Sequence, residues 1–188
     1  EACRLHPALL GVLCSVAPLW GDAAVDALRR CTDAGSRRLG ELHPVTQGII
    51  DADMASLAPV FDAAKELRMP ILMHASEPVG HGYPGKGTVT PDLLMALVNA
   101  YPNNTFIFSH FGGGLPFYGL MPEVKLALKN VYFDSAASSL LYTPEDFDVA
   151  TLAGRAETVM FSSDFPLVSQ KRALDELEHA GLAPARPS

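Results

Sequence analysis

The chain has 188 residues, of which 48% are hydrophobic and 19% charged, a balance that describes a globular protein and excludes a disordered one. Its 14 Lys and Arg against 21 Asp and Glu give a net charge of −7, and with no basic run this excludes a phosphate-gripping nucleic-acid surface and a basic membrane-surface patch. Three cysteines, Cys3, Cys14 and Cys31, form no CxxC pair, which argues against a disulfide framework or a cysteine zinc cluster and favours a reducing, cytoplasmic setting.

In chain order, six short apolar runs are expected to be strands: residues 10–16, 39–42, 71–73, 105–108, 131–133 and 159–161. Their starts are separated by 29, 32, 34, 26 and 28 residues, the size of one strand-plus-helix unit of a parallel sheet. The runs are almost continuously apolar, as strands covered on both faces must be. The first could be imagined as a signal peptide, but it fits the strand pattern, and its Pro and Gly residues break any membrane span.

The stretches between the runs read as helices. Residues 22–34 place Ala23, Ala27, Leu28 and Cys31 on one stripe, with Gly35 as a stop. Residues 54–67 carry Leu57, Val60, Phe61, Ala64 and Leu67 at helical spacing. Thr90-Pro91 and Thr143-Pro144 each read as an N-cap followed by Pro at the first helical position. Shorter or amphipathic helices are expected over 122–129 and 170–180. The Gly- and Pro-rich stretch 76–89 is a candidate active-site loop. Gly112-Gly113-Gly114 lacks the spacing of a dinucleotide fingerprint and reads as a tight turn. An α/β fold follows, of the (β/α)8 TIM-barrel type rather than a doubly wound sheet.

A parallel barrel gathers its chemistry at the C-terminal ends of the strands. Here the runs end in His43, His74, His110, Asp134 and Asp164, and Glu41 lies two residues before His43 on the same side of its strand. Imidazoles and carboxylates suit a divalent metal ion, zinc first and manganese or iron next. A metal there could generate a nucleophile from water or polarise a substrate carboxylate. Each residue also has a plainer reading. A single His after an apolar run is more often a satisfied structural residue; Asp134 before Ser135 fits an Asx turn; His43 before Pro44 fits a loop. Glu77, His81 and Lys86 in the long loop read as substrate contacts or as solvated side chains. The candidate substrate contacts are therefore Glu41, His43, Glu77, His81 and Asp134.

The segments Pro70-Ile-Leu-Met-His74, Phe106-Ile-Phe-Ser-His110-Phe-Gly-Gly113, Val131-Tyr-Phe-Asp134-Ser135 and Met160-Phe-Ser-Ser-Asp164-Phe-Pro166 resemble the amidohydrolase-related metal-dependent hydrolases. That branch also includes the aminocarboxymuconate-semialdehyde decarboxylase-like enzymes. The resemblance implies metal ligands at His74 and Asp164, with His110 as a further ligand or an acid/base, and Asp164 also helping to deprotonate an attacking water. It further implies an eight-stranded barrel whose first strand carries an His-x-His pair. No His-x-His occurs here, and the six runs align with the family's third to eighth strands. A fragment of a longer enzyme, truncated at the N-terminus and shortened at the C-terminus, is therefore expected. The leading functional expectation is hydrolysis of a small amide, ester or lactone. The alternatives are non-oxidative decarboxylation of a small carboxylic acid, or a catalytically silent chain that self-associates through unpaired strand edges.

Overall fold

The computed structural model describes Leu5, residues 11–153 and residues 156–179. All six apolar runs contain strands: β1 (Leu13–Cys14), β2 (Arg38–Leu42), β3 (Ile71–Met73), β4 (Phe106–Phe108), β5 (Val131–Asp134) and β6 (Val159–Met160). They form one parallel sheet whose spatial order is their chain order. A doubly wound sheet must reverse its strand order at a switch point. The described strands show no such reversal, and they form a six-stranded part of a (β/α) barrel with β1 and β6 at its edges.

Among the described residues, seven α-helices accompany the strands: α1 (Asp22–Asp33), α2 (Ala58–Glu66), α3 (Pro91–Ala100), α4 (Pro122–Ala127), α5 (Ser138–Leu141), α6 (Asp146–Ala153) and α7 (Gln170–His179). Several differ from the sequence pattern for physical reasons. The helix expected over 54–67 is a 3-10 turn (Met54–Leu57) followed by α2, because Pro59 in its first turn offers no amide to continue a helix from upstream. Thr90 is the cap residue of α3, yet its hydroxyl donates to the Asp92 carboxylate rather than capping a helix amide. Thr143-Pro144 does not open a helix directly; α6 starts at Asp146, after the separate turn of α5. The three glycines are not one tight turn. Phe111, Gly112, Gly113 and Gly114 form a left-handed run inside a 3-10 stretch, His110–Leu120.

The cysteine expectation is corrected for one pair. Cys14 on β1 and Cys31 on α1 are joined by a disulfide, with Cα atoms 5.9 Å apart. The helical stripe already put Cys31 on the face turned to the sheet. What spacing could not show is that Cys14, 17 residues earlier, points into the same layer. Cys3 lies outside the described residues, as does the end of the helix expected at 180. No helix among the described residues is long and apolar enough to cross a membrane.

The main core lies between the strands and their helices. Leu39, Ile71, Met73, Phe106 and Phe108 are buried on the strands, and Val60, Phe61 and Ala64 on α2 cover them. Phe61 meets Tyr101 and Phe106 edge-on, with ring centroids 4.9 and 6.0 Å away. A second cluster joins Phe111 to Phe147 and Ala150 on α6 and Leu177 on α7. Next to it Asp146 is buried, with one carboxylate oxygen that has no hydrogen-bond partner among the described residues. Burial pushes its carboxyl up to about 6, against the opposing pull of the Phe147 amide.

This packing has two consequences for stability. Phe61→Ala should cost about 3–5 kcal/mol, read from the shift in urea midpoint, because a fully buried ring would be replaced by a cavity. Asp146 holds its proton more tightly folded than unfolded, so it costs nothing below its ordinary 3.8 and destabilises increasingly as pH rises toward about 6. Asp146→Asn should therefore raise the urea midpoint at pH 7 and flatten its decline between those values. A variant with the parent's pH profile would contradict the assignment.

Candidate metal centre

The register of the sheet brings three strand ends together. Met73 pairs with Phe108, Phe108 with Phe133, and Leu42 with Met73, so these apolar residues form one row beneath the rim. The ladder runs one step further, with the His74 amide donating to the Leu42 carbonyl at 2.9 Å and the Ser109 amide to the Met73 carbonyl at 3.0 Å. The residues just beyond the row in each strand must stand at the mouth.

Glu41 precedes Leu42 at a break in the β2–β3 ladder. Gly40 has a φ of +127°, and a side chain there would run into the backbone of Leu72, so only glycine lets β2 pass this close to β3. Glu41 Oε1 lies 3.4 Å from His74 Nδ1 and accepts a hydrogen bond from the Ser109 hydroxyl at 3.2 Å. Burial alone would raise the Glu41 carboxyl, but the hydrogen bond and charge of His74, with help from His110 and Ser109, bring it below its ordinary value. Burial alone would lower His74, but the hydrogen bond and charge of Glu41 raise it. The pair thus favours its ionised form, a carboxylate beside an imidazolium.

His110 stands two residues past β4 in a left-handed conformation, φ +55°. Its amide donates to Asp134 Oδ1 at 3.1 Å, and its ring Nδ1 lies 2.8 Å from the Ala136 carbonyl. A carbonyl can only accept, so Nδ1 carries the hydrogen, and in the neutral tautomer Nε2 is the nitrogen that can ligate a cation. Gly113 seals the turn against the loop after β3; a Cβ there would strike the Ser76 carbonyl. The His74 and His110 rings are 5.0 Å apart and nearly perpendicular, and His43 stacks on His74 at 4.4 Å.

One ligand atom from each of Glu41, His74 and His110 lies within 4.8 Å of the other two. Two imidazoles and a carboxylate are a donor set for zinc, manganese or iron. The fit has independent support in the burial of His74 Nε2, which has no hydrogen-bond partner among the described residues. An orphaned buried nitrogen of that kind is costly unless something occupies it.

The three residues open into a cavity of about 630 Å3. His43, His81 and Asp164, all expected from the sequence, line it. Asp164, implied as a ligand by the family resemblance, stands at its wall beside the three-residue cluster. It sits four residues past β6 with a φ of +65°. Asp134 and Glu77, expected at the substrate, do not line the cavity. Asp134 is buried beneath it, where Oδ1 accepts from the amides of His110 and Ala136 at 3.1 and 2.9 Å. Burial pushes its carboxyl up. The Asx-turn reading describes it better. Glu77 accepts from two tyrosine hydroxyls, and Lys86 Nζ donates to the Val79 and His81 carbonyls. Sequence reasoning missed Tyr83, Leu140, Leu141 and Leu167 as wall residues. Only Tyr83 carried a signal, its position in the Gly- and Pro-rich loop.

Residues 1–187 match the family model described as Amidohydrolase. The chain belongs to the amidohydrolase family. Among solved structures, it is similar to the 5-carboxyvanillate decarboxylase of Sphingomonas paucimobilis, with a TM-score of 0.73 at 14% identity over 98% of this chain and 64% of that one. A dihydroxybenzoic acid decarboxylase from Polaromonas, with bound manganese and the inhibitor 2-nitroresorcinol, gives 0.71 at 18% over 97% and 66%. A protein from Acinetobacter baumannii described as a probable 2-pyrone-4,6-dicarboxylic acid hydrolase gives 0.61 at 15% over 96% and 69%. The likenesses establish the fold, and the amidohydrolase chain spans about two thirds of the length of these structures. A comparison with curated proteins finds no match.

Glu41→Gln and His74→Ala should each weaken Mn2+ binding about tenfold or more, followed by the electron paramagnetic resonance of the free ion. Asp134→Asn, whose hydrogen bond to His110 is to the amide and not the ring, should weaken it less than His74→Ala. Unchanged affinity in His74→Ala would remove the centre.

Proposed function

We propose that this amidohydrolase chain carries a metal-dependent, non-oxidative decarboxylase site for a small aromatic carboxylic acid. The observation that carries the reading is the apolar group Ala137, Leu140, Leu141 and Leu167, with Asp164 beside it, facing the same cavity as the Glu41, His74 and His110 cluster. Two solved structures named as aromatic-acid decarboxylases share the fold and support it.

Glu41, His74 and His110 are the residues that would hold a divalent cation. Bound there, it would supply a Lewis acid for the acidic end of the substrate. Glu41 and the Ala136 carbonyl fix the two rings, so little reorganisation is needed when the site fills. Leu140, Leu141 and Leu167 offer an apolar surface to an aromatic ring. Decarboxylation breaks the bond from ring to carboxylate, leaves the electron pair on the ring carbon and requires a proton there. Asp164 lies on the cavity wall outside the cluster, so it can carry that proton without leaving a ligand position. His110 is the other candidate carrier; it would have to use Nε2, the nitrogen it offers to a cation.

Hydrolysis, the leading expectation from sequence, stays as a second reading because a structure described as a probable 2-pyrone-4,6-dicarboxylic acid hydrolase shares the fold. The two are separated by measuring carbon dioxide released from 2,6-dihydroxybenzoate and 5-carboxyvanillate beside ring opening of 2-pyrone-4,6-dicarboxylate, all with Mn2+ present. Release from an aromatic acid without lactone opening is expected, and the reverse pattern would overturn the proposal. Asp164→Asn should lower kcat about a hundredfold or more while keeping Mn2+, whereas His110→Gln should lose Mn2+ affinity.

A further inference from the structure

The cavity has two walls built from separate parts of the chain. One is the loop after β3, which presents His81, Tyr83 and Pro84. The other is the segment after β5, which presents Ala137, Leu140 and Leu141. The first wall is internally tied. The Ser76 amide donates to the Val89 carbonyl at 2.8 Å and its hydroxyl to the Lys86 carbonyl, while Lys86 Nζ donates to the carbonyls of Val79 and His81 at 2.7 and 3.0 Å. These bonds close the loop on itself and do not reach the second wall.

Glu77 does reach it. Its Oε2 accepts from the Tyr83 hydroxyl at 3.0 Å, and its Oε1 accepts from the Tyr142 hydroxyl at 3.1 Å. Tyr83 belongs to the cavity lining, and Tyr142 directly follows α5. Tyr142 is itself well anchored. Its amide donates to the Ser138 carbonyl at 2.8 Å, and its ring packs edge-on against Phe111 and Phe117 at 6.1 and 6.2 Å. Burial and the nearby Glu77 charge push both phenols above their ordinary value, so both remain donors across the working pH range. An ionised carboxylate with one tyrosine on each oxygen forms the stronger class of hydrogen bond at both ends.

We infer that Glu77 is a positioning residue: it bridges Tyr83 on the β3 loop to Tyr142 behind the β5 segment, and so holds the two cavity walls at a set separation. It neither lines the cavity nor joins the metal-holding cluster, so it acts through the tyrosines. The wall that Tyr83 presents to substrate is placed by a residue 65 positions away from Tyr142 in sequence. Loss of the bridge lets the loop tip move independently of α5, which costs ordering each time a ligand binds and leaves the cation site intact.

The bridge can be tested without turnover, by amide hydrogen exchange on the full chain loaded with Mn2+. The Lys86 amide, bonded to the Tyr83 carbonyl, reports one wall, and the Tyr142 amide reports the other. In Glu77→Ala both should exchange about tenfold faster, with Mn2+ affinity within twofold of the parent. Glu77→Gln should restore both, because its amide group can accept from one hydroxyl and donate to the other oxygen. Acceleration at Lys86 alone, at Tyr142 alone or at neither overturns the inference, as does a Gln variant no better than Ala. Should Glu77→Ala not fold, Tyr142→Phe must speed exchange at Lys86; unchanged exchange there is equally decisive. The catalytic readout rests on the decarboxylase proposal: KM for the acid turned over should rise about tenfold in Glu77→Ala with kcat within threefold. In a chain that decarboxylates none of the acids tried, exchange still decides whether the bridge exists, so the two proposals fail separately.

Discussion

The parallel register of β2 to β5 is the constraint on which the rest of the molecule depends. With Leu42, Met73, Phe108 and Phe133 in one row, the strands share a floor of apolar side chains, and every strand leaves that floor on the same side. Parallel strands reach this arrangement only because helices carry the chain back beneath the sheet between them. The row excludes water from below, and the residues beyond it, His74, Ser109 and His110, have polar groups to satisfy at the rim. Their crowding is the direct result of strand direction and needs no sequence proximity.

Crowding alone would be unfavourable, since burial penalises each charge separately. Two kinds of compensation are visible. The first is mutual: Glu41 and His74 shift in opposite directions because each supplies the charge the other lacks. The second is backbone. His110, Phe111, Ala137 and Asp164 all adopt positive φ without being glycine, and all lie in the segments that build the cavity. Such conformations cost on the order of 1–3 kcal/mol each and persist only where the surroundings over-determine them. Here the Asp134 carboxylate grips the amides of His110 and Ala136 from below. Burial of Phe111 against Phe147 holds the turn from the side. Stability generated in the second cluster is thus used to hold His110 in place.

The strands and most helices were legible in the sequence because each signal is local. An apolar run such as Ile71-Leu72-Met73 is buried because it is a strand covered by helices, and Pro91 opens α3 because it lacks an amide to lose. The ends of the runs pointed to His74, His110 and Asp164 for the same reason. Relations across the sheet could not be read. Glu41 looked like a substrate contact because its pairing with His74 depends on a ladder break that Gly40 permits. Asp134 looked like a site residue because its amide partners lie 24 positions back and two positions forward, in a turn no periodicity encodes. Cys14 and Cys31 looked like free thiols because the layer that unites them exists only after the first βα unit folds.

The same donor set can serve hydrolysis or decarboxylation, so the ligands do not choose between them; the treatment of water does. A hydrolase must admit a water molecule to its electrophile and keep a base beside it. A decarboxylase must keep water and stray protons away from a developing carbanion until the intended proton arrives. The wall beside the Glu41, His74 and His110 cluster combines the apolar side chains Ala137, Leu140, Leu141 and Leu167 with the polar residues His43, His81, Tyr83 and Asp164. Asp164 is the one carboxylate on that wall outside the cluster among the described residues, an arrangement suited to delivering one proton to a ring held against Leu140 and Leu141, and on that physical ground the lining favours decarboxylation where the ligands alone do not choose.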